Sequence, residues 1–110
     1  MRQSQRNIRW EVERGHLVRH VERADGRAYT HRCGLPALKE VCCYVEEHAK
    51  DGVTTGELWD ALPDQPATQL SVALEFLKER GIVETRGRRN YPASGTVFED
   101  GMTEFHALEA

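Results

Sequence analysis

The feature that most constrains the fold is a run of three helical patterns between Leu35 and Tyr91, each closed by glycine or proline. In the first, apolar residues recur at intervals of three and four: Leu38, Val41, Cys42, Val45 and Ala49. Pro36 suits the first turn of this helix, and Asp51-Gly52 suits its C-terminal end. The pattern predicts an amphipathic helix with one buried face.

Capping signals and periodicity predict two more helices. Thr54 followed by Glu57 forms a capping-box pattern at the start of a short helix, which Pro63 ends. After the turn Asp64-Gln65-Pro66, a third helix is predicted to run to Arg80. Its buried stripe comprises Leu70, Ala73, Leu74 and Leu77. A short linker therefore joins the second helix to a longer third one.

A basic β-hairpin is predicted directly after the third helix. Gly81 is the predicted C-cap of that helix, and Ile82, Val83 and Thr85 favour a strand. The segment from Arg86 to Asn90 favours a loop, and Tyr91 begins a returning strand. Three arginines thus lie at or beside the predicted tip of the hairpin.

Both ends of the chain add further elements. Ile8, Trp10 and Val12 alternate with polar residues, which predicts a strand, and Asp25-Gly26 is a hairpin-turn signal. We expect a β-hairpin or short meander there, with its arginines and histidines on the solvated face. After Pro92, a closing amphipathic helix is predicted from the spacing of Phe98, Met102, Phe105 and Leu108. This stripe either closes the core or forms a seam with a second copy.

Charge is unevenly distributed although the net charge is only −3. Residues 1–33 hold eight arginines against four acidic residues, whereas residues 92–110 hold four acidic residues and no lysine or arginine. The three cysteines are an odd number, which suits a reducing cytoplasm. Neither a signal peptide nor a membrane span is predicted.

The middle of the chain resembles winged-helix transcriptional regulators. The resemblance rests on the order of elements and on two segments, Thr54–Leu58 and Leu70–Val83, and it covers about half of the chain. The helix-helix-wing part is particularly similar to MarR-type regulators. Together with the elements predicted at both ends, the resemblance gives a predicted α+β fold, a winged helix-turn-helix with an N-terminal β-hairpin and a C-terminal helix. Its parts are an N-terminal β-hairpin extension over 1–33, a winged-helix core over 34–92 and a C-terminal helix over 93–110, all in one compact domain.

The resemblance also implies which residues meet DNA. The third helix would lie in the major groove, where glutamine pairs with adenine, hydroxyls bond bases or phosphate, and valine packs on a thymine methyl. The wing arginines would contact phosphate or enter the minor groove, and the start of the second helix would contact phosphate through backbone N–H groups. The implied residues are Thr54, Thr55, Thr68, Gln69, Ser71, Val72, Arg86, Arg88 and Arg89.

The sequence departs from the family pattern at three positions. Trp59 stands where a small residue is common, Pro63 tightens the turn, and the third helix carries Glu75 with no early Arg or Lys. The leading hypothesis is a homodimeric, sequence-specific regulator that binds double-stranded DNA. The alternative is a winged-helix protein-interaction module, whose arginines would face an acidic partner.

Other chemistries have weaker support in the sequence. The residue types suited to zinc are present as His31, Cys33, Cys42, Cys43 and His48. They form neither a Cys-x-x-Cys nor a His-x-x-x-His pair, so buried cysteines and surface histidines are favoured. An exposed Cys33 near Arg32 would instead suit a thiol sensor. No phosphate loop or nucleophile elbow is found, so no enzyme, cofactor or metal is predicted.

Overall fold

The computed structural model describes residues 7–109, which form four α-helices and two three-stranded antiparallel sheets. The first sheet contains β1 (Asn7–Glu13), β2 (His16–Glu22) and β3 (Ala28–Gly34). The helices are α1 (Leu35–His48), α2 (Thr55–Ala61), α3 (Ala67–Glu79) and α4 (Val97–Ala107). The second sheet contains β4 (Val53–Thr54), β5 (Val83–Arg86) and β6 (Arg89–Pro92), in the order β4-β6-β5. The predicted α+β class is confirmed.

The N-terminal sheet corresponds to the short meander, the second of the two predicted alternatives, and has one strand more than a β-hairpin. Its strand order is β1-β2-β3, so it is a meander. Arg14 and Gly15 join β1 to β2 with positive φ angles of 52° and 78°, as a two-residue type I′ turn requires. Asp25-Gly26 lies in a longer loop, where the Asp25 carboxylate accepts from the Arg27 N–H at 3.0 Å. Residues 1–6 of the predicted extension lie outside the described residues.

One face of the N-terminal sheet packs against α3. Leu17 and Cys33 are cross-strand partners on this face, and both are completely buried. Beside them, the Trp10 ring meets the Phe76 ring of α3 edge to face, with centroids 5.2 Å apart. These residues belong to the same hydrophobic core as those of the helices. The sheet is therefore a structural layer of the core, because its apolar face is covered by α3.

The helix α4 covers α1 with a stripe that differs from the predicted one. Its buried residues are Val97, Gly101 and Phe105, at intervals of four, while Phe98 and Met102 are only partly buried at the margin. Phe105 has no exposed surface, so this chain buries it internally. Phe105 of the predicted stripe therefore closes the core, and the seam with a second copy stays a prediction.

A carboxylate from α1 caps the start of α4. Thr96 is the N-cap residue but makes no side-chain cap, and the Phe98 N–H instead donates to Glu46 Oε1 at 2.9 Å. A negative charge at a helix N-terminus is favourable, because the first N–H groups of a helix lack partners within it.

Among residues 7–109, no helix has the length and apolar character needed to cross a bilayer.

The three cysteines are free thiols, and two of them are completely buried. Cys33 and Cys42 have no exposed surface, whereas Cys43 is partly exposed. Burial raises the pKa of Cys33 and of Cys42 to about 12. The hypothesis of an exposed Cys33 thiol sensor is therefore wrong, because the packing of β3 against α3 covers this residue. Within residues 7–109, no three His, Cys, Asp or Glu side chains are grouped so as to hold a metal ion.

Thiol labelling of the native protein at pH 8 is expected to modify Cys43 alone. The other two thiols are buried and keep their protons in the folded state, whereas all three should react in denaturant. In the unfolded state these two thiols lose their protons near pH 9, whereas in the folded state they keep them until about pH 12. The free energy of unfolding should therefore fall as the pH rises from about 9 toward 12. Mass spectrometry after a short pulse of iodoacetamide measures the labelling, and Cys43→Ser is the control. Rapid modification of a second thiol in the native protein would contradict the burial.

Candidate nucleic-acid interface

The helix α3 buries most of its surface and leaves one narrow side outside the core. It starts after Pro66, whose carbonyl oxygen accepts from the Leu70 N–H at 3.1 Å. Its outer positions follow intervals of three and four: Thr68, Ser71, Glu75 and Lys78. Thr68 is exposed and the other three are partly exposed. We call this side, formed by these four residues, the α3 face.

Two residues implied to meet DNA bases lie elsewhere on α3. Val72 has no exposed surface, so the prediction that it lies on the solvent-facing side of the helix is wrong. The Oε1 atom of Gln69 accepts a hydrogen bond from the Gly34 N–H at 2.8 Å and so ties α3 to the end of β3. The reason is the N-terminal sheet, which packs along this side of α3. Of the four predicted helix contacts, Thr68 and Ser71 remain on the α3 face.

The hairpin of β5 and β6 has a tight turn and a fixed orientation. Arg86 pairs with Arg89, so Gly87 and Arg88 form a two-residue turn, and the φ of +62° at Gly87 fits the first position of a type II′ turn. The hairpin is anchored by Asn90, which is only 2% exposed. Its Oδ1 atom accepts from the Thr85 hydroxyl at 2.8 Å.

The same Asn90 side chain links the hairpin to β4. Its Nδ2 atom donates to the Val53 carbonyl oxygen at 3.0 Å. A buried amide that is both donor and acceptor in this way fixes the neighbouring strands, because breaking either bond would leave a polar group buried without a partner. The turn at Gly87-Arg88 is thereby held at a set position relative to the start of α2.

The three arginines of the hairpin differ in their contacts. The Arg86 guanidinium lies over the Tyr91 ring, 4.0 Å from its centroid. Arg89 donates to the Gly52 carbonyl oxygen at 3.0 Å and lies 3.4 Å from the Glu57 carboxylate. Arg88 makes no hydrogen bond or ion pair with any residue in the range 7–109, and it is exposed. Arg88 is therefore the most available cation, and Arg89 is the most occupied.

At the start of α2, the predicted capping box is present and uses Thr54. The Thr54 hydroxyl accepts from the Glu57 N–H at 3.0 Å, and the Glu57 carboxylate accepts from the Thr54 N–H at 2.9 Å. The Thr54 N–H lowers the pKa of Glu57, and the nearby Arg89 charge lowers it further. The Thr54 N–H already donates to the Glu57 carboxylate. Of the two residues predicted to contact phosphate, Thr54 and Thr55, only the exposed Thr55 therefore remains a candidate.

Two depressions border the α3 face, one toward each end of the helix. The depression toward the C-terminal end has a volume of about 540 Å³ and lies between Lys78, the hairpin turn and the start of α2. It is lined by Thr54, Thr55, Gly56, Lys78, Thr85, Gly87, Arg88 and Asn90. The other has a volume of about 360 Å³ and is lined by Arg19, His31, Trp59, Ala67, Thr68 and Ser71. Cationic side chains are thus present at both ends of the α3 face.

Sequence reasoning missed Lys78, Arg19 and His31 at this surface. A signal existed for Lys78, which lies two helical turns after Ser71 and therefore on the same side. A signal also existed for Arg19, because strand alternation places it on the same face as the apolar Leu17. The docking of that face against α3 could not be derived from alternation.

The α3 face carries hydroxyl groups, and neighbouring elements bring Arg88 and Arg19 to the depressions at its two ends. Thr68 and Ser71 can donate to and accept from base edges or phosphate, while Arg and Lys suit phosphate. Glu75 is an acid on the same face, and Lys78 lies 3.2 Å from its carboxylate and compensates its charge.

No protein-family model matches this chain, and comparisons with curated proteins and with solved structures return no match.

Proposed function

We propose that this chain is a winged helix-turn-helix protein that binds double-stranded DNA and acts as a sequence-specific transcriptional regulator. The order α1-β4-α2-α3-β5-β6 and the pairing of β4 with the hairpin support this fold. One observation carries the functional proposal. The outer side of α3 and the basic turn of the hairpin border one depression, which Lys78 and Arg88 line together.

In the proposed complex, α3 enters the major groove, which is about 12 Å wide and admits one helix. Thr68 and Ser71 contact base edges or the adjacent phosphates. Arg88, at the tip of the hairpin, contacts the backbone or the neighbouring minor groove, where a narrow groove has enhanced negative potential. The proposed activity is DNA binding, and the preference for one DNA sequence comes from the hydroxyl groups of Thr68 and Ser71 on α3.

The arginines at the hairpin turn support this placement, although residues 34–91 hold ten acidic residues against seven Lys or Arg and the net charge of the chain is −3. The acidic residues Glu99, Asp100 and Glu104 lie on α4, which packs against α1. Phosphate binding depends on the local potential more than on the net charge. We include homodimerisation in the proposal, since a two-fold symmetric protein recognises a symmetric DNA site.

Selection from a pool of random-sequence duplexes tests the proposal, with the purified protein at low salt over several rounds. We expect enrichment of one motif, and a homodimer predicts that the motif has two-fold symmetry. The absence of any enriched motif together with no duplex binding would refute the DNA-binding function. It would favour the alternative of a winged helix that binds an acidic protein partner.

An Arg86→Gln/Arg88→Gln variant is expected to bind the selected duplex more weakly. The slope of log K against log salt should also become shallower, by about 0.9 for each phosphate that the variant no longer neutralises. Arg89 is left intact because it holds the Gly52 carbonyl oxygen. Fluorescence anisotropy over a range of salt concentrations measures both effects.

The matched control is Arg9→Gln/Arg32→Gln, which removes the same charge from the sheet face opposite α3. These two arginines pair there with Glu11 and Glu13. The control should retain the wild-type salt slope. Equal slopes for the hairpin variant and wild type would contradict the role given to the hairpin.

A further inference from the structure

Arg19 is a cation on the sheet face that packs against α3, which is otherwise mostly apolar. On β2 it shares that face with Leu17 and Val21, which are 0% and 2% exposed. Its cross-strand neighbour on β1 is Trp10, which packs on α3. Arg19 is partly exposed, but its Nε atom is buried, and a buried polar atom without a partner is costly. Its presence there calls for an explanation.

The contacts of Arg19 leave its charge without a carboxylate. Its Nη2 atom lies 3.1 Å from His31 Nδ1, to which it donates, and its Nε atom is buried with no hydrogen-bond partner among the described residues. The two other arginines on the strands each pair with an acid, Arg9 with Glu11 and Arg32 with Glu13. Within residues 7–109, Arg19 has no such ion pair.

The position of Arg19 relative to α3 is equally informative. Arg19 and His31 line the depression that Thr68 and Ser71 border at the N-terminal half of α3. This half of the helix carries no Arg or Lys of its own, since its first basic residue is Lys78. The N-terminal sheet thus brings a guanidinium to the end of the α3 face that is far from the hairpin.

We propose that Arg19 binds a phosphate of the DNA backbone beside the N-terminal half of α3. The inference rests on the proposed DNA-binding function. A guanidinium matches phosphate oxygens in shape and charge, and Arg19 still lacks an anionic partner. With α3 in the major groove, the hairpin contacts DNA at one end of the helix and the N-terminal sheet at the other. The sheet therefore forms part of the binding surface in addition to its place in the core.

Arg19→Gln is the principal test, measured by anisotropy with the selected duplex and with an unrelated duplex of equal length. We expect affinity to fall by a similar factor on both duplexes, because phosphate contacts carry no sequence information. We also expect the salt slope to become shallower by about 0.9. Arg19→Lys should keep the wild-type slope while binding more weakly. Circular dichroism melts of each variant verify folding, and the lysine variant keeps the test valid if the glutamine variant unfolds.

Arg32→Gln is the matched control. Arg32 lies on the same sheet as Arg19 but on the face that points away from α3, where it pairs with Glu13. Its salt slope should equal that of the wild type. A wild-type slope and affinity for Arg19→Gln would overturn the inference, and so would a weakening confined to the selected duplex, which would indicate base contact. If wild-type protein binds no duplex, the proposed function itself fails, which is a separate result.

Discussion

Replacing Phe76 by alanine should lower the free energy of unfolding by about 3–5 kcal/mol, the typical cost of removing a buried aromatic side chain. Phe76 has no exposed surface, and its ring on α3 meets the Trp10 ring edge to face. Its removal would leave a cavity between the N-terminal sheet and the helices. Since small domains have about 5–15 kcal/mol of stability, a reduction of this size is a large fraction of the total. Urea denaturation followed by circular dichroism measures it.

Phe98→Ala is the matched control for Phe76→Ala. Phe98 is the same residue type, but it lies only partly buried at the margin of α4. Its replacement should cost clearly less. A double-mutant cycle of Phe76→Ala with Trp10→Ala should give a coupling energy of about 0.5–1.5 kcal/mol. A coupling near zero would show that the N-terminal sheet does not dock on α3 as described.

Gly101→Ala should destabilise the protein by about 1–3 kcal/mol, the usual cost of overpacking a core. In most helix interiors the same change is stabilising by about 0.5–1 kcal/mol, because glycine has high backbone entropy. At Gly101, however, an added Cβ atom would lie 2.7 Å from Cys42 Sγ and 3.3 Å from Leu77 Cδ2. The absence of a side chain at this position lets α4 approach α1 closely.

Two further variants separate crowding from helix propensity. At Gly56 in α2 an added Cβ would meet no atom within 4 Å, so Gly56→Ala should leave stability unchanged or raise it. In the second, Cys42→Ala removes the sulfur that crowds position 101, and Gly101→Ala should cost less in that background. Equal stability changes for Gly101→Ala and Gly56→Ala in urea denaturation would contradict the close packing of α4.

Local sequence signals predicted the parts of the fold that depend on neighbouring residues. The capping box of Thr54 and Glu57 forms with both hydrogen bonds, and the apolar repeat of α1 matches its buried side. Position 81 has a φ of +74°, which explains glycine just after α3. Each of these features is fixed by contacts within a few residues, so periodicity and capping are sufficient to identify them.

Features that depend on docking were not predictable in the same way. The predicted position on the solvent side of α3 is wrong for Val72, which is buried, and Gln69 accepts a hydrogen bond from Gly34 at the end of β3. The buried stripe of α4 is centred on Gly101, which has no side chain and so gives no apolar signal. Arg19 reaches the α3 face only through the register of β2 and the packing of the sheet. Spacing alone does not determine any of these.

The most direct test of the central claim is an amide chemical-shift map of ¹⁵N-labelled protein titrated with the selected duplex, or with a random-sequence duplex at low salt. Binding through the α3 face and the hairpin predicts that the largest changes cluster at Thr68, Ser71 and Lys78, and at Gly87 and Arg88. Changes that cluster instead on the exposed side of α4, or no changes at saturating duplex, would contradict it.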